Sequence, residues 1–174
     1  MRVLFDIDTH DYDTNGKRLI RPSARSIIIR NGTILMVHSV LYDYYKFPGG
    51  GFEENESVSQ ALARETLEEA GVSIVPGSER EYGIVHRIQS GHGADIFEQD
   101  NYYFFVDIDE NSSGQDLDEY EQEEHFTPVW IDPETALTAN SKPDHGPKDP
   151  VMIDRETRVL KMLIDEGYFS PNRQ

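Results

Sequence analysis

Three glutamates, Glu65, Glu68 and Glu69, stand at i, i+3 and i+4. On a helix that spacing turns all three to one side. Like charges so close repel, so the face is either solvated or holds a cation. An oxygen-only cluster suits a hard divalent ion such as Mg²⁺ or Mn²⁺. Ahead of it, Gly49, Gly50 and Gly51 follow Pro48. Glycines let a backbone approach a ligand closely and expose its carbonyls. A metal on the carboxylates beside such a loop could bind a diphosphate, cancel its charge and acidify a bound water. Attack of that water on phosphorus splits the pyrophosphate link. The protein's part in this is positioning and electrostatics.

The elements that must hold these groups are partly legible. Ser57 followed by Gln60 forms a capping-box pattern, and Gly71 suits the residue just past a helix end. Between them, Val58, Ala61 and Leu62 share the side of the three acids, with Ala63, Leu67 and Ala70 opposite. The acids thus continue an apolar stripe, which sets them at the edge of a core rather than on an open face. Arg25–Arg30 reads as a strand, Asn31-Gly32 as a hairpin turn, and Thr33–Val40 as the return strand. Strands are also expected at Lys46–Pro48, Arg80–Gln89, Asn101–Ile108 and Phe126–Ile131, with a polar loop over Ser90–Asp100. Asp109–Glu124 reads as a mobile acidic loop. Asp132-Pro133 starts a helical turn, and Val151–Glu166 has the spacing of a final amphipathic helix. Val3–Ile7 and Lys17–Ile20, around the Asp13–Gly16 turn, suggest an N-terminal edge hairpin within residues 1–22. Together these give an α/β chain with a mixed β-sheet between helices, read as a single domain over residues 1–174.

The chain has 174 residues, 33 acids against 16 Lys and Arg, and a net charge of −17. That balance argues against a nucleic-acid backbone or an anionic membrane surface as partner. An anionic substrate then needs a metal to neutralise the site locally. With no cysteine, disulfides, thiolate metal sites and cysteine nucleophiles are excluded. No stretch has membrane-spanning length, and a soluble cytoplasmic protein is the expectation.

Residues Gly50 to Val72 resemble the Nudix box, G-x5-E-x7-R-E-U-x-E-E-x-G-U with U aliphatic. Gly50, Glu56, Arg64, Glu65, Glu68, Glu69 and Gly71 occupy the fixed positions, and Thr66 stands where an aliphatic residue is usual. Such a match arises by chance at on the order of 10⁻⁹ per start position at average residue usage. The resemblance implies an α/β/α sandwich with the box as loop–helix–loop. It implies hydrolysis of a nucleoside diphosphate linked to another moiety. Glu65, Glu68 and Glu69 are then metal ligands and catalytic, Gly49 supplies a carbonyl ligand, and Glu56 and Arg64 form a structural ion pair. A glutamate from a downstream loop often adds a metal contact or acts as base. Glu124 is the choice here, with Glu121 and Glu123 as alternatives. Dimers are common among proteins that resemble this one, so a homodimer is an open expectation.

Substrate contacts are less specific. Arg25 could meet a phosphate. Tyr44, Tyr45 and Phe47, just before the glycines, could stack on a base, although Phe47 also reads as a core residue. His86 and His92 are further polar groups after the box. Around His86–Ser90 there is neither the proline often seen in ADP-ribose hydrolysers nor the tyrosine of dinucleoside-polyphosphate hydrolysers. A nucleoside triphosphate or a nucleotide sugar remains. The rival reading is a Nudix domain that binds a nucleotide without cleaving it, which would not require all three acids. A DNA-binding regulator would need a basic helical domain, and the isoprenoid isomerase on this fold a cysteine. The chain has neither.

Overall fold

Alternation along Thr33–Ser39 sets the layers. Leu35 turns to one face of the sheet and packs among Ala61, Leu62 and Ala70. Ile34 and Met36 turn to the other, among Ala136, Val159, Leu160 and Leu163. One strand therefore serves two cores, with a helix layer on each side.

The computed structural model describes residues 1–91, 93–109 and 114–170. In chain order its elements are β1 (Val3–Asp8), β2 (Arg18–Ile20), β3 (Ser23–Ile27), β4 (Ile29–Arg30), β5 (Thr33–Ser39), β6 (Tyr44–Lys46) and β7 (Gly49–Gly51). Then come α1 (Val58–Ala70), β8 (Ser73–Ile74), β9 (Arg80–Ser90), β10 (Ile96–Phe105) and β11 (Ile108–Asp109). The last elements are α2 (Glu119–Glu123), β12 (Phe126–Ile131), α3 (Pro133–Asn140) and α4 (Pro150–Asp165).

The main sheet runs β1-β9-β10-β3-β7, with β2 also on β10. It is mixed: β1, β2 and β3 run parallel to their partners, whereas β9–β10 and β3–β7 are antiparallel. A second sheet, β12-β5-β4 with β6 on β5, is antiparallel. The expected α/β/α layering with a mixed sheet is present. No helix among the described residues is long and apolar enough to cross a membrane.

Several local signals are realised. Asn31 and Gly32 both take positive φ (51° and 76°) between β4 and β5, as a type I′ turn requires. Ser57 and Gln60 exchange side-chain and backbone hydrogen bonds at the start of α1 (2.9 and 3.3 Å). Gly71 ends α1 in the left-handed region at φ 66°.

The N-terminal hairpin is corrected. β1 pairs with β9 and β2 with β10, so the two lie on different strands. Alternation marks a strand but not its partner, and both partners lie far along the chain. The polar loop before Asn101 is also shorter than expected, because Ile96–Asp100 continues the ladder with β9. Part of the expected acidic loop forms α2.

Candidate active site

The glycine loop and α1 meet through contacts that only these residue types allow. Gly49 has φ 139°, and a Cβ there would run into the Ala24 carbonyl. A Cβ on Gly50 would strike the Glu65 carboxylate. The loop thus lies directly on the acids. Thr66, the departure from the aliphatic pattern, is fully buried and shares a 2.6 Å hydrogen bond with the Ser26 hydroxyl. A hydroxyl pair docks α1 onto β3 where the usual side chain would pack by apolar contact.

Arg64 organises the outer acids. Its guanidinium donates to both oxygens of Glu56 (2.9 Å each), the expected ion pair, and to the Gly51 carbonyl (3.0 Å). It also donates to Glu65 (2.9 Å) and Glu68 (3.0 Å). Bonding to Arg64 pulls the Glu56 pKa down. Burial pushes Glu68 up, partly offset by Arg64.

Glu69 is held differently. It is 2% exposed, and one oxygen accepts from Lys46 Nζ (2.6 Å) while the other accepts from the Gly49 N–H (3.0 Å). Burial pushes its pKa up to about 7, against the opposing pull of Lys46 and Arg25. The Gly49 carbonyl accepts from the Arg25 guanidinium. The inner pair of expected ligands, Gly49 and Glu69, is thus held by Arg25 and Lys46, while the outer pair, Glu65 and Glu68, shares Arg64.

These groups line a cavity of about 340 Å³ that also includes Asp116, Asp118, Tyr120 and Glu121. The structure places the downstream acids apart. Glu121 lies in this cavity, 4.0 Å from Lys46 Nζ, and accepts from the Asp118 N–H (3.0 Å) and the Tyr120 hydroxyl (2.8 Å). Glu124, just past the end of α2, lies outside this cavity and lines the adjoining one. It accepts from the Ser39 and Tyr44 hydroxyls (2.9 Å each) and from Lys148. Of the substrate-binding expectations, Arg25 lines the cleft. Tyr45 and Phe47 do not. Alternation along β6 turns Tyr44 and Lys46 into the cleft and Tyr45 away, stacked on His38 at 4.3 Å. Asn140 clasps the Tyr45 backbone, accepting from its N–H (2.7 Å) and donating to its carbonyl (2.8 Å). Phe47 is fully buried, edge-on to Tyr103 in the core. His86 bonds Asp100 on β10 (2.8 Å), outside the cleft. His92, and the stretch 110–113 of the expected acidic loop, lie outside the described residues. Lys46 was missed in sequence, and its spacing from Tyr44 on one strand was the available signal.

A glycine loop laid on an acidic helix, set in a mixed sheet between helix layers, defines a Nudix-type hydrolase site. The family model described as NUDIX domain matches residues 20–154, and the chain belongs to that family. It is a Nudix hydrolase. Members of the family generally use divalent metals. Among solved structures it is similar to one from a study of MutT of Aliivibrio salmonicida and Vibrio cholerae, at 18% identity and TM-score 0.54 over 85% of this chain and 99% of that one. A NUDIX hydrolase from Nitrosomonas europaea matches at 20% identity and TM-score 0.52, over 81% of this chain and 90% of that one. A MutT NUDIX hydrolase from Burkholderia pseudomallei matches at 18% identity and TM-score 0.50, over 78% and 97%. At these identities the likeness shows the fold. Among curated proteins none matches in sequence.

Proposed function

We propose that the chain is a pyrophosphohydrolase dependent on Mg²⁺ or Mn²⁺. It would cleave the diphosphate link of a nucleoside diphosphate derivative, a nucleoside triphosphate or nucleotide sugar, by water attack on phosphorus. The observation that carries this reading is the gathering of Glu65, Glu68, Glu69, Asp118 and Glu121 around one cavity against the glycine loop. The acidic donors are all carboxylates, the set that suits a hard divalent ion and not a thiolate- or imidazole-bound one. Among the described residues no three such groups converge to coordination distance, since Arg64 and Lys46 now hold them. The fit is therefore one of donor type and number.

A metal bound here supplies charge neutralisation for the diphosphate and an acidified water. The chain's own residues do the rest. Glu65 and Glu68, splayed and oriented by Arg64, would hold the metal with Glu69. Lys46 would favour the ionised form of Glu69 against its burial and add positive charge beside the phosphates. Glu121, fixed by Asp118 and Tyr120, is the group suited to take the proton from the attacking water. Arg25 would brace the Gly49 carbonyl and face the substrate.

The test is a panel of nucleoside triphosphates and nucleotide sugars with purified protein and Mg²⁺ or Mn²⁺. Release of a monophosphate-containing product is expected from at least one. Tight binding of a panel member with no product from any would sink the reading and leave a nucleotide-binding module.

A further inference from the structure

Next to the acid-lined cavity the cleft opens into a second one of about 520 Å³, and its charge is reversed. Six of the chain's 16 Lys and Arg residues line it: Arg21, Arg25, Lys46, Arg87, Lys148 and Arg155. Only two acids, Glu124 and Asp149, face them. A chain with 33 acids has ample means to balance such a cluster, yet it is left positive.

Internal pairing explains part of this. Arg155 is 1% exposed and saturated by Glu156, Gln99 and Asn101, so its role is structural. Arg87 is 5% exposed and bonds Asp149 and Gln89. Lys148 bonds Glu124. Lys46 bonds Glu69. Arg25 and Arg21 have no carboxylate partner among the described residues. Arg25 is 8% exposed, and its buried Nε has no hydrogen-bond partner. The Arg21 side chain is exposed, lines both cavities and meets no hydrogen-bond or ion-pair partner among the described residues. Burying a guanidinium such as that of Arg25 costs several kcal/mol unless an anion compensates. Burial, joined by repulsion from Arg155 and Arg25, pulls the Arg87 pKa down despite Asp149. Guanidinium forks together with an ammonium suit a ligand offering several oxygens and two charges.

Arg21, Arg25, Lys46, Phe97, Gln99 and Tyr120 line both cavities, so one ligand can span them. We propose that the basic cavity is an anion subsite for the far arm of the substrate, and that this arm carries a phosphomonoester. This rests on the hydrolase reading and narrows it, from nucleoside triphosphates and nucleotide sugars at large to diphosphates bearing a further phosphate.

The test avoids turnover. Titration calorimetry on the full chain in EDTA compares adenosine 3′,5′-bisphosphate with AMP, and ribose 5-phosphate with ribose. The first pair reports a phosphate on the nucleoside, the second one on a sugar arm. In at least one pair the added phosphate should tighten binding about tenfold or more, with a gap that narrows as salt rises. Arg21→Gln should bring that pair to within about twofold. Arg21 is exposed and lines both cavities, so its variant removes an unpaired cation without opening the core. Equal affinities in both pairs overturn the proposal, as does an advantage that survives in folded Arg21→Gln. A chain that shows the preference but hydrolyses nothing overturns only the hydrolase reading. One that hydrolyses nucleotides without the preference overturns only the subsite.

Discussion

The hydroxyl pair under the box offers a quantitative test. Ser26 and Thr66 are both 0% exposed and 2.6 Å apart. Thr66→Val keeps the shape but leaves the Ser26 hydroxyl buried without its partner, which costs about 1–3 kcal/mol. Ser26→Ala should cost less, because the Thr66 hydroxyl can turn to a carbonyl one turn back in its own helix. Ser26→Ala with Thr66→Val removes both polar groups, and the pair should then lose no more than about 1 kcal/mol. The singles therefore overshoot the double, with a coupling of about 1–2 kcal/mol. Urea unfolding of the four proteins measures this directly. In thermal melts, a chain of this size shifts by about 2–4 °C per kcal/mol. Additive singles would refute the reasoning, because the hydrogen bond would then contribute nothing beyond the separate side chains.

Four further outcomes are expected. Glu68→Gln should abolish turnover and leave the far-UV spectrum and melting temperature close to wild type; full activity would remove Glu68 from the metal assignment. Glu121→Gln should lower kcat by about 10²-fold or more, the scale of a lost general base. Glu124→Gln should act chiefly on stability, by about 1–3 kcal/mol in urea unfolding, since its buried carboxylate has three partners. The Glu69 pKa of about 7 lies above the ordinary carboxylate value of 4.5. That group's contribution to stability is present below pH 4.5 and is lost as pH rises through 7. At pH 6 most molecules carry its proton, so Mn²⁺ binding should release about one proton at pH 6 and almost none at pH 9. Calorimetry in buffers of different ionisation enthalpy reads this, and equal release at both values would argue against Glu69 as a ligand.

What could be read without coordinates was local. The Ser57–Gln60 box, Gly71 and Asn31-Gly32 depend on neighbouring residues alone, and each behaves as its type dictates. The acid triad followed from helical spacing. Partner choice did not, because β1 meets β9 and β2 meets β10 across more than 70 residues of chain. Which of Glu121 and Glu124 lines the acid cavity depends on where α2 ends, and a five-residue helix leaves no periodic trace. Tyr45 and Lys46 show a subtler failure. The expected strand begins only at Lys46, whereas β6 spans Tyr44–Lys46, so the alternation that turns Lys46 in and Tyr45 out does not follow from it.

Asn140 has a consequence beyond placing Tyr45. β6 lies at the rim of its sheet, and the outward N–H and carbonyl of Tyr45 are the groups a foreign strand would seek first. The Asn140 amide fills both positions, in the way a neighbouring strand would. One buried side chain thus ends the sheet. It guards the folded chain against edge-to-edge aggregation without adding a charge next to the cleft.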